Sequence, residues 1–226
     1  MDKILKCAII ANGIINNDVK LMNIVKEADI VVCADGGAKH LVRLGLFPDI
    51  LMGDFDSIDK TILENCIKNR VELIQYPTSK DFSDTELSVM WAIDHGASEI
   101  ILTGVTGQRM DHTLSNVFLL KKILKNGIKG YIVDDNNEIY LLSKRCFSYA
   151  PEISKDICIK GKPGDLLSII PLSETVTGIT LKGLKYPIEN ACMEMGTSKG
   201  ISNVFTEKNA MISIKEGSVL ITKSID

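Results

Sequence analysis

Four aspartates fall where metal–phosphate chemistry needs carboxylates. The apolar run Ile30–Ala34 leads directly into Asp35-Gly36-Gly37, and Ile50–Gly53 leads into Asp54-Phe55-Asp56-Ser57. A third run, residues 71–76, precedes Lys80-Asp81-Phe82-Ser83-Asp84. Each acidic cluster follows a strand-like run and precedes a helical pattern. In an open parallel sheet such loops all lie along the carboxyl edge, where ligands bind. The three loops therefore bring Asp35, Asp54, Asp56 and Asp84 to one crevice. Carboxylates gathered in this way repel one another and stay ionised at low cost only beside a cation. An oxygen-only ligand set completed by substrate phosphates suits Mg²⁺. In an extended Asp54-x-Asp56 segment both side chains point to one side, so the pattern predicts a magnesium–nucleotide site.

Each acid also has a plainer reading. Asp35 before two glycines fits a turn. Asp56 and Ser57 ahead of a helix fit caps. Ser83-x-x-Glu86 fits a capping box, with Asp84 a first-turn acid favoured by the helix dipole. The weight of the reading lies in their joint occurrence at three strand ends.

A fourth strand end supplies the anion-binding side. Residues 100–103 are followed by Gly104-Val105-Thr106-Gly107-Gln108-Arg109-Met110-Asp111-His112 and then by a helical pattern. Glycines let backbone approach phosphates, and a helix start offers N–H groups to them. Arg109 can grip phosphate oxygens as a fork. Asp111 also fits a helix cap, and His112 fits either a nucleotide contact or a packed helix-start residue. The segment is not a Walker loop, and no GxGxxG follows the first strand.

The elements that must hold these loops are legible from periodicity. Apolar runs at 7–11, 30–34, 50–52, 71–74, 100–103 and 131–133 alternate with helical patterns near 19–26, 38–44, 60–69, 85–95 and 113–125. That alternation is how a parallel sheet with crossover helices reads. In the last helical pattern Leu114, Val117, Phe118, Lys121 and Leu124 are spaced to form one face. After about residue 136 long helical patterns stop, and short runs appear at 166–171, 177–181, 210–214 and 219–222. Lys215-Glu216-Gly217-Ser218 reads as a hairpin turn between the last two. The fold class is thus α/β, with a catalytic α/β domain at 1–135 and an all-β domain, a sandwich or barrel-like roll, at 136–226.

Composition bounds the function. The chain has 226 residues, enough for a sizeable core, with 45% hydrophobic and 24% charged residues. A formal net charge of −3 gives no global basic field for nucleic acid or anionic membrane. No apolar stretch approaches the roughly 20 residues a membrane span needs. The N-terminal MDKILKCAIIANG reads as a first buried strand rather than a signal peptide. The six cysteines show no CxxC spacing and read as buried free thiols, which places the chain in the cytoplasm. Trp91 reads as core, and His40 and His95 as residues near helix C-termini.

In order along the chain, Ala34-Asp35-Gly36-Gly37, Pro48-Asp49, Gly53-Asp54-Phe55-Asp56-Ser57, Lys80-Asp81-Phe82-Ser83-Asp84-Thr85, Thr106-Gly107-Gln108-Arg109-Met110-Asp111-His112 and Gly200-Ile201-Ser202-Asn203 resemble the motif series of the thiamine pyrophosphokinase family. The resemblance covers nearly the whole chain. It implies a homodimer with an α/β catalytic domain and a β-sandwich domain, and Mg²⁺-dependent transfer of diphosphate from ATP to thiamine. It implies Asp35, Asp54, Asp56 and Asp84 as catalytic and metal-binding acids. It implies Gly36, Lys80, Asp81, Thr103, Gly104, Gly107, Arg109, Asp111 and His112 as the ATP site. Tyr186 would stack on thiamine, with Ser202 and Asn203 hydrogen-bonded to it at the subunit interface. Read without the resemblance, Tyr186-Pro187 is a turn and Ser202-Asn203 a hairpin loop. Gln108 stands where many relatives carry a second glycine, and a positive φ there would strain it.

Overall fold

The computed structural model describes residues 5–56, 58–79, 81–144 and 156–225. The chain divides into two compact units, Met1–Asp135 and Asn136–Asp226. In the first, strands β1 (Lys6–Ile10), β2 (Ile30–Ala34), β3 (Ile50–Gly53), β4 (Glu72–Gln75), β5 (Glu99–Thr103) and β6 (Lys129–Val133) pair in parallel. Their order is β6-β5-β1-β2-β3-β4. Strands β1, β2, β3 and β5 are near-continuous apolar because both faces of the sheet are covered there, whereas the edge strand β4 is mostly exposed. Helices α1 (Asp18–Glu27), α2 (Ala38–Val42) and α3 (Lys60–Lys68) close over one face, where Ala8, Ile10, Val31, Cys33 and Leu51 meet Leu21, Leu41 and Cys66. Helix α4 (Asp84–Asp94) packs on β1, β2 and β3 from the other side, and α5 (Met110–Lys125) packs on β6. From β1 to β4 the strands step outward in one direction, while β5 and β6 lie on the opposite side of β1. The order therefore reverses between β1 and β5, and a crevice opens at such a switch point.

Helix starts are fixed locally. Asn17 accepts from Lys20 N, Asp59 from Thr61 N, and Ser83 from Glu86 N, so each satisfies a backbone donor that a helix start leaves free. The cap of α3 is Asp59, not Asp56 or Ser57. On α5 the expected face is corrected in part. Val117 and Leu124 are buried as expected, but Leu114 and Phe118 are exposed, and the buried stripe takes in Asn116, Leu119, Leu120 and Ile123 instead. Trp91 is half-buried and stacks on the His95 ring at 4.0 Å, rather than sitting in the core.

The second unit is a sandwich. Strands β7 (Asn137–Ser143), β9 (Leu166–Pro171), β12 (Asn203–Val204) and β14 (Ser218–Ser224) form one sheet, in the order β12-β9-β14-β7. Strands β8 (Ile157–Lys160), β10 (Thr175–Lys182), β11 (Ile188–Glu194) and β13 (Asn209–Ser213) form the other, in the order β11-β10-β13-β8. Among the described residues the strand pairings within the two sheets are antiparallel. Alternate residues point inward, so Leu167, Ile169, Val219 and Ile221 meet Val176, Ile179, Leu181 and Ile212 in one core. The expected hairpin at 215–218 is a crossover instead. β13 and β14 belong to different sheets, and Lys215 N is bound by Thr177 O.

Cys7, Cys33 and Cys66 are buried free thiols, as read from sequence, while Cys158 and Cys192 are exposed. Burial first, and the charge of Asp49 second, push the Cys7 thiol up to about 12, far from the thiolate form that reacts. Cys146 lies outside the described residues. Among the described residues no helix is long and apolar enough to cross a membrane.

Candidate active site

The crevice between β1 and β5 holds a cavity of about 600 Å³. One wall is the loop after β1. Ala11 N donates to Thr103 O at 2.9 Å, Gly13 N to Gly104 O at 2.6 Å, and Ile14 N to Thr106 O at 3.0 Å. The contact is too close for side chains at two positions. A Cβ on Gly13 would lie 2.3 Å from Thr106 O, and one on Gly104, whose φ is +64°, would lie 2.4 Å from Ala11 O. His40 Nε2 is 2.9 Å from Gly13 O, and buried Asn116 donates from Nδ2 to Val105 O at 2.9 Å. The loop after β5 is therefore held from both sides. Gln108 has no positive φ, so this loop accepts it without backbone strain.

The opposite wall carries acids. Asp35 opens a 3-10 turn, Asp35–Gly37, with φ +45°. Asp84 is the first residue of α4, and both line the cavity. Gly53 at the end of β3 sits against Asp35, since a Cβ there would lie 3.0 Å from that of Asp35. This places the Asp54 loop beside Asp35. Asp56 N donates to Asp54 Oδ1 at 3.2 Å. The Asp56 carboxyl is held above its usual range, first by a hydrogen bond with Asp54 and by its charge, then by burial and the charges of Asp35 and Asp84. Four like charges from three strand ends are thus within electrostatic reach of one another. Phe55 between the pair adopts φ +63°, and such strain persists where surrounding structure enforces it, often at functional sites.

Among the described residues no three acidic, histidine or cysteine side chains close on one point as a metal cage does. The donor set is nevertheless all carboxylate oxygen. Mg²⁺ is commonly held by one or two carboxylates, with phosphate oxygens and water completing its shell. The acids fit a divalent cation brought in with a nucleotide.

The expected site residues do not all line the cavity. Gly104, Gly107, Arg109 and His112 line the cavity with Asp35 and Asp84. Thr103 is buried at the end of β5, where its carbonyl holds Ala11. Gly36 packs on the Asn12 side chain. Asp54, Asp56, Asp81 and Asp111 are outside the cavity lining. Lys80 lies outside the described residues. Arg109 binds Asp111 through Nη2 at 2.7 Å and Nε at 3.3 Å. Asp111 is brought down to about 2, first by Arg109 and then by the His112 N–H. It is the second residue of α5 rather than its cap. Sequence reading missed Asn12, Gly13 and Ile14, as well as Lys39, Thr113 and Asn116, all of which line the cavity. Asn12-Gly13 directly after the first strand was the available signal.

In the second unit Tyr186, Ser202 and Asn203 come together. Asn203 is 6% exposed and Tyr186 58%. The Asn203 Oδ1 accepts from Tyr186 N at 3.0 Å and Val204 N at 2.9 Å, and Nδ2 donates to Tyr186 O at 2.7 Å. Lys185 Nζ stands 5.5 Å from the Tyr186 ring centroid. Ser202 holds φ +58°, with its N–H on Ser168 Oγ at 3.0 Å.

The first unit has the build of a nucleotide-dependent α/β enzyme: a parallel sheet, a cavity at its switch point, a close-packed glycine loop and a carboxylate rim. Comparison with known proteins narrows that class. A family model described as thiamin pyrophosphokinase, catalytic domain, matches residues 21–132, and one described as its vitamin B1 binding domain matches 155–219. Thiamine pyrophosphokinase of Bacillus subtilis (strain 168) is 31% identical over 218 residues, 96% of this chain and 98% of that protein. The crystal structure of thiamine pyrophosphokinase from Bacillus subtilis matches with a TM-score of 0.85 at 28% identity, over 98% of this chain and 99% of that one. That of thiamin pyrophosphokinase from Geobacillus thermodenitrificans matches with a TM-score of 0.80 at 27% identity, over 98% of each. The chain belongs to the thiamine pyrophosphokinase family.

Proposed function

We propose that this chain is a cytoplasmic, magnesium-dependent ATP:thiamine diphosphotransferase acting as a homodimer. The observation that carries the reading is a nucleotide-sized cavity at the switch point with a crowd of carboxylates on its rim. The thiamine hydroxyl attacks the β-phosphorus of ATP. The new bond joins that oxygen to Pβ, the bond from Pβ to the oxygen bridging the α-phosphate breaks, and AMP leaves with the electron pair. The protein's part in such transfers is mostly positioning and charge neutralisation. Backbone at Gly104 and Gly107 approaches the phosphates, and Arg109 and His112 bind beside them. Asp35, Asp54, Asp56 and Asp84 would hold Mg²⁺ together with phosphate oxygens, and the ion, when bound, would supply charge neutralisation on the transferred group. Asp84 or Asp81 takes the hydroxyl proton, and the place of Asp84 on the cavity wall favours Asp84. The first unit is the catalytic domain and the second the thiamine domain, where Tyr186 stacks on the vitamin and Ser202 offers its hydroxyl. Asn203 keeps one Nδ2 hydrogen for a ligand, and its other bonds fix Tyr186.

An endpoint assay with purified protein, thiamine, ATP and Mg²⁺ tests the reading, with the products separated by chromatography. Equal AMP and thiamine diphosphate, lost on adding EDTA, are expected. ADP with thiamine monophosphate, or inorganic phosphate alone, would overturn the transfer chemistry. The dimer is tested by mixing an Asp54→Asn variant with a Tyr186→Ala variant. Restored turnover is expected if each thiamine site draws on two subunits, and its absence after subunit exchange would remove that arrangement.

A further inference from the structure

Lys39 belongs to none of the motifs above, yet it lines the cavity. It sits in α2, directly after the turn that carries Asp35. Its Nζ reaches across to the loop after β1 and donates to Asn12 O at 3.2 Å. The two loops are in close contact there, since a Cβ on Gly36 would lie 2.5 Å from Asn12 Nδ2. The ammonium is thus anchored over the mouth of the switch-point crevice, on the same wall as Asp35.

The charge balance of the cavity gives this position its meaning. A nucleoside triphosphate keeps net negative charge after taking up one divalent cation, and Asp35 and Asp84 add more. Of the two described cations lining the cavity, Arg109 already shares its charge with Asp111 through two bonds. The bonded partner of Lys39 is an uncharged carbonyl. An ammonium has three donors, so one carbonyl leaves two for further oxygens. Its charge is felt nearby, as Lys39 is among the causes that pull His40 down.

We propose that Lys39 is a polyphosphate-binding residue, which grips the phosphate chain of the nucleotide through its ammonium and gives the site its preference for triphosphate over monophosphate. This rests on the reading of the cavity as the nucleotide site. Calorimetric titration of AMP, ADP and ATP, each with Mg²⁺ and without thiamine, tests it on wild type, Lys39→Gln and Lys39→Arg. A charge-assisted contact confined to the phosphate chain predicts that Lys39→Gln weakens ATP binding by about tenfold and AMP binding by less than about twofold. Lys39→Arg keeps most of the ATP affinity. Equal losses for AMP and ATP would make Lys39 a loop brace acting through Asn12 and overturn the proposal, as would no loss for either, or a wild type that binds no nucleotide. ATP binding that depends on Lys39 in a protein that makes no thiamine diphosphate would uphold the proposal and bring down the functional reading instead.

Discussion

At the carboxyl edge of the first unit, Asp56 holds its proton more tightly than an ordinary carboxyl because Asp54, Asp35 and Asp84 crowd it. Around Tyr186 in the second unit, polar groups are already matched: two N–H groups on Asn203 Oδ1 and one carbonyl on Nδ2. The crevice is built with an excess of like charge that a bound cation would relieve. The Tyr186 corner is finished in advance, with a fixed backbone and an exposed ring. The contrast suits the two proposed substrates. A metal–nucleotide brings its own compensating charge, whereas an aromatic vitamin needs a surface held still.

The sharpest way to break this comparison is at the acids. Asp54→Asn or Asp56→Asn is expected to lower kcat by about a hundredfold to a thousandfold, the size seen on losing a major electrostatic contact. Thermal melting of the ligand-free Asp56→Asn protein is expected to hold steady or rise. Because the folded-state proton affinity of Asp56 is raised, ligand-free stability falls as pH climbs from the usual carboxylate range through that raised value. The amide removes this slope. A melting point that drops in Asp56→Asn would mean the acids hold the fold rather than wait for a cation.

Tyr186→Ala is expected to raise the KM for thiamine about tenfold, the order of one aromatic contact, with the KM for ATP unchanged. Asn203→Ala should do the same, with about 1–3 kcal/mol of lost stability for the stranded partners of its amide. The double variant is expected to lose less in KM than the two single losses combined, because part of the Asn203 effect acts through the Tyr186 ring. Fully additive losses would show that Asn203 contributes only its own bond to the vitamin.

Gly104→Ala tests the crevice wall without touching charge. It forces a side chain into a left-handed backbone position against Ala11 O, and a loss of about 1–3 kcal/mol in chemical denaturation is expected. Gly107→Ala, where a Cβ meets only Gly13 Cα at 3.8 Å, should leave stability nearly unchanged. A last effect is confined to acid. Burial, and then the charge of Lys39, lower the His40 imidazole from its ordinary 6.5 to about 4. The stability this group contributes is present above 6.5 and is lost as pH falls through 4, since the unfolded chain takes up the proton first. His40→Gln should flatten that part of the stability profile.

Much of this was legible in the amino-acid order. The inner parallel strands announced themselves because burial on both faces demands continuous apolar runs, the exposed edge strand β4 less so, and the acids marked the strand ends. Four features were not legible, or not fully, each for a physical reason. The switch point depends on which strand neighbours which, and nothing local to β5 says that it inserts beside β1. The Asn12–Gly13 wall works mostly through main-chain atoms, which leave only a short Asn-Gly pair as a signal. Indeed the catalytic-domain match begins only at residue 21. Gly217 correctly marks a reversal with φ +96°, but a turn residue cannot say whether its flanking strands rejoin one sheet or part into two. Likewise, apolar residues on α5 fit two adjacent stripes, and packing kept Val117 and Leu124 of the expected face while leaving Leu114 and Phe118 outside.

The interlocked loops after β1 and β5 have a dynamic consequence. Gly13 N–H and Ile14 N–H are both hydrogen-bonded to carbonyls of the other loop, so neither loop can open while the other stays shut. They behave as one hinged panel rather than two flaps, and local opening must expose both together. Amide protons at Gly13 and Ile14 are therefore expected to exchange with solvent in a single event. A nucleotide gripping the β5 side alone would slow the exchange on the β1 side as well, carrying order to a segment that it need not touch.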